Sequence, residues 1–70
     1  MPEETTYEIR VRDVLDEKWS AYFGSFRLII SDDETLLTGT VRDQAELFGI
    51  LLKIRDLGLH MVSVNPVSRQ

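Results

Sequence analysis

The sequence predicts an α+β domain in which four strands form one antiparallel sheet and two helices cover one of its faces. Three observations predict this class. Several short segments alternate apolar and polar residues, other segments repeat apolar residues at helical spacing, and the two kinds follow the order strand, helix, strand, strand, helix, strand. Because the chain has only 70 residues, it provides one domain at most.

The first predicted strand follows a polar N-terminal segment. Tyr7, Ile9 and Val11 alternate with charged residues, which is the period of a strand with one buried and one wet face. Residues 1–6 are mostly polar, and we expect them to form a disordered tail. We therefore expect a single domain over residues 7–67, with the last three residues as a second tail.

A short helix is predicted near residues 16–23. Asp16 is a favourable N-cap, and Gly24 can end the helix in the left-handed conformation. Three aromatic residues fall at i, i+3 and i+4 and would share one face of this helix: Trp19, Tyr22 and Phe23. Because a helix of two turns is marginal alone, these side chains must pack against another element.

The middle of the chain predicts a β-hairpin. Residues 26–31 and 36–41 are strand segments, and the acidic stretch between them, Asp32–Thr35, has turn composition. Gly39 lies inside the second of these strands. It predicts either a bulge or a place where a helix approaches the sheet closely.

The second helix has the clearest signals. Asp43 is the predicted N-cap, and Glu46 three residues later completes a capping-box pattern. Gly58 fits the C′ position, so that Leu59 can reach back to Ile54 in a Schellman motif. The core-facing stripe consists of Leu47, Ile50, Leu51, Ile54 and Leu57.

The last strand begins near His60 and is closed by Pro66. The complete order matches the two-layer ferredoxin-like βαββαβ sandwich. Right-handed crossovers would place both helices on one face of a four-stranded antiparallel sheet of order 4-1-3-2.

Such a sandwich leaves one sheet face open. We assign Ile9, Val11, Leu28, Ile30, Leu37, Val41, Val62 and Val64 to the helix-covered face. The open face would carry Glu8, Arg10, Arg12, Arg27, Ile29, Leu36, Thr38, Thr40, Ser63 and Asn65. This face is interpreted either as a solvated or self-associating surface or as an RNA platform. The absence of aromatic residues from its central strands favours the first interpretation.

A second apolar arc lies on the long helix beside its core stripe. Ala45, Phe48 and Leu52 form this arc, and Gly49 lies within it. The arc is either packed against Trp19 and Tyr22 of the first helix or is a dimer contact, since exposed apolar patches mark interfaces. We predict an interface of Ala45, Phe48, Gly49, Leu52, Trp19 and Tyr22.

Composition restricts the partners. The formal charge of −4 argues against nucleic acid, whose binding proteins are usually basic. No segment predicts a signal peptide or a membrane span, which favours a cytoplasmic protein. Because the chain has no cysteine and only one histidine, oligomerisation is the means of stabilisation left to so small a domain.

No arrangement of residues predicts catalysis. The acidic run from Asp32 to Glu34 lacks a calcium-loop pattern and is interpreted as a solvated turn. His60 has only Asp56, Ser63 and Ser68 near it in sequence, which fixes no catalytic geometry. We therefore expect a non-enzymatic protein with no catalytic, cofactor-binding or metal-binding residues.

Three segments carry a resemblance to a known set of proteins: "YEIRV" at Tyr7–Val11, "LLTGTVRDQAELFGILLKIRDLGL" at Leu36–Leu59, and "SV" at Ser63–Val64. Together they resemble a widespread family of short bacterial hypothetical proteins of unknown function. The resemblance implies a stand-alone small bacterial protein and supplies no catalytic residues.

Three functions are considered, the least favoured being a small dimeric enzyme with an apolar cavity between sheet and helices. The first is a small protein-interaction module that self-associates as a homodimer through a sheet edge, the open sheet face or the arc of Ala45, Phe48 and Leu52. The alternative is an ACT-like regulatory domain that binds a small metabolite at a dimer interface. The fold suggests this alternative only by analogy, because "RDVLDEKW" lacks the glycine-bearing turn that ACT domains often place after their first strand.

Overall fold

A computed structural model describes residues 4–24 and 26–67 as a four-stranded antiparallel sheet with one α-helix. The elements are β1 (Thr5–Val11), a 3-10 helix (Glu17–Ala21), β2 (Arg27–Ile30), β3 (Thr35–Val41), α1 (Gln44–Asp56) and β4 (Met61–Val67). The sheet order is β2-β3-β1-β4, which confirms the predicted order read from the opposite edge. The predicted tails lie outside the described residues at positions 1–3 and 68–70.

The strand boundaries differ from the prediction by one or two residues. β1 starts two residues early, because Thr5 and Thr6 pair with β3 residues Val41 and Thr40. β2 is one residue shorter at each end, β3 starts one residue early, and β4 starts one residue late and ends at Val67, the predicted end of the domain. β4 is an edge strand, where proline is tolerated because only one side of the strand has a hydrogen-bonding neighbour.

The predicted first α-helix over 16–23 is wrong, and the two-helix layout is therefore not confirmed. Residues 17–21 form a 3-10 helix, whose backbone bonds join residues three apart, as from the Trp19 N–H to the Asp16 carbonyl at 3.0 Å. A 3-10 helix rises about 2.0 Å per residue against about 1.5 Å for an α-helix. The short connection from β1 to β2 therefore spans a greater distance than the same residues would span as an α-helix. Asp16 still caps it, accepting a hydrogen bond from the Lys18 N–H at 3.2 Å.

The core lies between the sheet and the helical layer. Its buried apolar residues are Ile9, Val11, Leu15, Phe23, Phe26, Leu37, Val41, Leu47, Ile50 and Ile54. Leu28 and Val64 pack against this cluster, as expected of the covered face. Ile30 and Val62 were assigned to the same face, but both are exposed. They lie on opposite edge strands, and β4 has a register irregularity opposite Arg10 and Val11, so the single α-helix leaves both uncovered.

Gly39 is neither a bulge nor a helix-packing site. β1 and β3 pair in continuous register through it, with Tyr7 directly opposite. The close neighbour is Phe26, because a Cβ on Gly39 would lie 2.7 Å from the Phe26 ring. Gly39 therefore makes room for the aromatic side chain of the residue that immediately precedes β2.

The predicted caps of α1 are confirmed with one change. The Glu46 N–H donates to Asp43 Oδ1 at 3.0 Å, but the Glu46 carboxylate reaches past the cap to accept from the Arg42 N–H at 2.7 Å. At the other end Gly58 has a φ of 73°, and the Leu59 N–H donates to the Ile54 carbonyl at 3.2 Å, which is the Schellman bond.

Candidate functional site

The outward face of α1 is an uncovered apolar surface. The outward face is defined here as Ala45, Phe48, Gly49 and Leu52, which lie on the side of the helix opposite the buried Leu47, Ile50 and Ile54. Phe48 is 56% exposed and Leu52 is 49% exposed. The 3-10 helix therefore does not cover this face. The structure gives no support to the interpretation that Ala45, Phe48 and Leu52 pack against Trp19 and Tyr22.

Gly49 lies at the margin of the outward face, next to the recess between α1 and β3, with space above it. A Cβ placed on Gly49 would meet no neighbouring described atom within 4 Å. Glycine inside a helix costs about 0.5–1 kcal/mol relative to alanine. The fold of a single chain gives no steric reason for this cost.

The two aromatic residues predicted for the same interface lie beside the helix rather than on its outward face. The Trp19 and Tyr22 rings form an edge-to-face pair with centroids 5.7 Å apart, and Tyr22 is exposed whereas Trp19 is half-buried. Lys53 connects them to α1. Its Nζ donates to the Tyr22 carbonyl at 2.9 Å and lies 5.3 Å from the centroid of the Tyr22 ring.

Charges of opposite sign lie at the two ends of α1. Its first turn has Glu46, and its last turn has Lys53 and Arg55. Hydrogen bonds from the backbone and then the guanidinium of Arg42 lower the pKa of Glu46, and Glu46 in turn raises the pKa of Arg42. In this pair, Arg42 Nη2 lies 3.0 Å from Glu46 Oε2. The helix therefore has an acidic beginning and a predominantly basic end.

His60 has a partner that sequence reasoning missed. Its backbone N–H donates to Asp13 Oδ2 at 2.6 Å, and its Nδ1 lies 3.3 Å from Asp13 Oδ1. The backbone hydrogen bond is the main cause that lowers the pKa of Asp13. Asp56, the partner considered from the sequence, pairs instead with Arg55 at 3.1 Å. Asp13 and His60 are 47 positions apart in the sequence, so no local pattern signals their contact.

The hydroxyl group of Thr35 also holds the segment after β1 that contains Asp13 and Leu15. Thr35 is fully buried, and its Oγ1 donates to the Asp13 carbonyl at 2.8 Å while it accepts from the Leu15 N–H at 3.0 Å. Both capacities of the hydroxyl are thus used. Asp13 and His60 therefore join the end of β1 to the start of β4, which is a structural arrangement.

The acidic hairpin turn and the open sheet face form no further cluster. Glu34 forms an ion pair with Arg10 of the open face at 2.6 Å, so one of the three acidic residues of the hairpin turn is neutralised. Among residues 4–24 and 26–67, no three His, Cys, Asp or Glu side chains are placed to hold a metal ion. No described helix is long and apolar enough to cross a membrane.

The described part of the surface includes three recesses that are open to solvent. One of about 440 Å³ lies between the 3-10 helix and β2, and its lining includes Ala21, Phe26 and Leu28. A second of about 390 Å³ lies at the start of α1, beside Tyr7 and Leu47. The third, of about 180 Å³, lies between α1 and β3.

Comparison with known proteins supplies a family and no activity. No curated protein and no solved structure matches the chain. One family model matches residues 6–65, which run from β1 to β4 and include the outward face of α1. The chain belongs to the family of that model, described as a domain of unknown function (DUF8691).

Proposed function

We propose that the protein is a small non-enzymatic interaction module that self-associates as a homodimer through the outward face of α1. The observation that carries this proposal is the exposure of Phe48 and Leu52 one helical turn apart on the side of α1 away from the core. Large apolar side chains grouped on one exposed face mark an interaction surface. We include Trp19 and Tyr22 in the proposed interface as flanking residues, because Lys53 of α1 contacts Tyr22 and the Tyr22 ring packs on Trp19.

The charges of α1 favour an antiparallel pairing with a second copy. A two-fold axis between Phe48 and Gly49 places Ala45 of one helix opposite Leu52 of the other. The acidic first turn of each helix then lies beside the basic last turn of its partner, and the helix dipoles oppose each other. Gly49 permits close approach of the two helix axes, which accounts for a glycine in mid-helix.

The size of the outward face predicts a weak dimer. Complete burial of a Phe or Leu side chain contributes about 1.5–3 kcal/mol, and Phe48 and Leu52 are each about half exposed. Two copies therefore gain roughly 3–6 kcal/mol from these four side chains before the cost of association. Taken alone, this gain corresponds to dissociation constants of about 40 µM to 6 mM, so the average mass must be measured up to millimolar concentrations.

Sedimentation equilibrium of the wild type and Phe48→Asp tests the proposal. We expect the wild-type average mass to rise above the 8.1 kDa of one chain with concentration. Phe48→Asp puts a charge into the contact and should lower the average mass at each concentration. Val14→Asp is the matched control, because Val14 is 53% exposed but lies outside the outward face.

The outcomes separate the proposal from a general effect of added charge. A lower mass for Phe48→Asp with an unchanged mass for Val14→Asp supports the outward face as the contact. An equal mass for Phe48→Asp and the wild type would contradict it. Far-UV circular dichroism of both variants checks that each retains the fold.

The metabolite-binding alternative stays a prediction, and the three recesses described above are all open to solvent. An ACT-like domain predicts that one class of metabolite raises the melting temperature. A thermal-shift screen against amino acids and nucleotides measures this. No shift at millimolar concentrations would remove this alternative.

A further inference from the structure

β2 is an edge strand whose outward backbone groups can be assigned. It pairs only with β3 among the described residues. The Ser31 N–H donates to the Glu34 carbonyl at 2.9 Å, so Ser31 and Glu34 are a hydrogen-bonded pair. Such pairs alternate along an antiparallel ladder. Ile29 therefore bonds inward to β3, whereas the N–H and C=O groups of Leu28 and Ile30 point away from the sheet.

We propose that β2 is a second self-association surface, on which β2 of another copy adds antiparallel to form a continuous eight-stranded sheet. One register uses all the outward groups. Leu28 of each chain faces Ile30 of the other, which gives four backbone hydrogen bonds across a two-fold axis. Ile29 then faces Ile29 of the second copy at a non-hydrogen-bonded position, where side chains are closest.

The side chains of β2 fit this register on both faces. Ile29 is 46% exposed on the open face beside Leu36, so the pairing extends an apolar row across the axis. On the other face, Ile30 of the second copy lies next to Leu28, at the recess lined by Ala21 and Phe26. The added strand would therefore place an apolar side chain in this recess.

Charge also favours a second copy as the occupant. The register places Arg27 opposite Ser31 of the second copy, next to the exposed acidic turn residues Asp32 and Asp33 of that chain. Arg27 forms no ion pair with another residue in the described part of the chain. Each two-fold contact would thus bring two arginines to two acidic turns.

The opposite edge of the sheet lacks these properties. β4 contains Pro66 and has a register irregularity opposite Arg10 and Val11. Proline and bulges are the features that protect an edge strand from pairing. β2 contains no proline and pairs with β3 in continuous register. The proposal concerns a surface separate from the outward face of α1, and it stands or fails independently.

The test uses Phe48→Asp as the background, because that variant removes the contact through α1. We expect the Phe48→Asp chain to retain a concentration-dependent dimer in sedimentation equilibrium. Adding Ile29→Lys should raise the dissociation constant of this dimer at least tenfold. Adding Val62→Lys is the matched control, since Val62 is 50% exposed on the β4 edge, and it should leave the constant unchanged.

Cross-linking tests the register directly, because the natural chain has no cysteine. In the same background, Ile29→Cys should form a disulfide-linked dimer under mild oxidation, and Val62→Cys should not. A Phe48→Asp chain that is monomeric at all concentrations would overturn the proposal. An extended segment of another protein would then be the candidate partner for the edge of β2. Equal cross-linking of the two cysteine variants would also overturn it.

Discussion

The ring of Phe26 lies directly over Gly39 on the neighbouring strand. A Cβ on Gly39 would lie 2.7 Å from the Cγ and Cδ1 atoms of Phe26 and 3.0 Å from its Cα. Phe26 is almost completely buried, so its ring belongs to the packed core. Gly39 and Phe26 therefore fix the distance between the end of the first crossover and β3.

Gly39→Ala should destabilise the fold by about 1–3 kcal/mol, because overpacking a close contact exceeds the gain of about 0.5–1 kcal/mol from replacing a strand glycine. Chemical denaturation measures this change. The penalty should be smaller in a Phe26→Leu background, since part of the clash is with the ring. Equal penalties in both backgrounds would show that Phe26 is not the cause.

Gly49→Ala should have the opposite effect on the folded monomer. The added Cβ meets open space and removes a helix-interior glycine, so the free energy of unfolding should rise by about 0.5–1 kcal/mol at low concentration. Association through α1 should weaken, because the methyl group separates the two helices. Denaturation at low concentration and sedimentation at high concentration measure the two effects. A gain in stability with unchanged association would show that no helix approaches Gly49.

Thr35→Val should destabilise the protein by about 1–3 kcal/mol, because the buried Leu15 N–H loses its acceptor while the side-chain shape is kept. Thr38→Val is the control, since Thr38 is half-buried on the open face of the same strand. Thermal unfolding should show a clear decrease for the first variant and little change for the second. Similar decreases for both would indicate that the bond from Leu15 contributes nothing.

The pair of Asp13 and His60 predicts a pH dependence. Hydrogen bonds from His60 lower the pKa of Asp13, so the ionised carboxylate stabilises the fold above the ordinary aspartate pKa of about 3.9. This contribution is lost as the pH falls through the lower pKa of the folded state. Asp13→Asn should therefore be less stable than the wild type at pH 7, and the difference should shrink below about pH 4.

Thermal unfolding between pH 7 and pH 3 measures this difference. Asp33→Asn is the control, because Asp33 is an exposed acidic residue of the hairpin turn. A stability difference for Asp13→Asn that stays constant over the range would contradict the assignment.

The features predicted correctly from the sequence are those that depend on near neighbours. Asp43 and Gly58 cap α1 through residues three to five positions away, and the sheet order follows from alternating segments and short connections. The contacts between Phe26 and Gly39 and between Asp13 and His60 join residues far apart in the chain. No local pattern signals such contacts.

The first crossover was predicted wrongly for a related reason. The spacing of Trp19, Tyr22 and Phe23 suits an α-helix, but periodicity cannot show how far the segment must reach between β1 and β2. The outward face of α1 was found because helical spacing determines which residues share a side. That Phe48 and Leu52 are uncovered required the structure, since coverage depends on the length of the neighbouring segment.

The central claim is that two copies pair through the outward face of α1. Sedimentation equilibrium of Ile29→Lys, from about 10 µM to 1 mM, tests it most directly, because this variant disables the proposed β2 contact. We expect a monomer–dimer equilibrium within that range. A single species of 8.1 kDa at every concentration would contradict it.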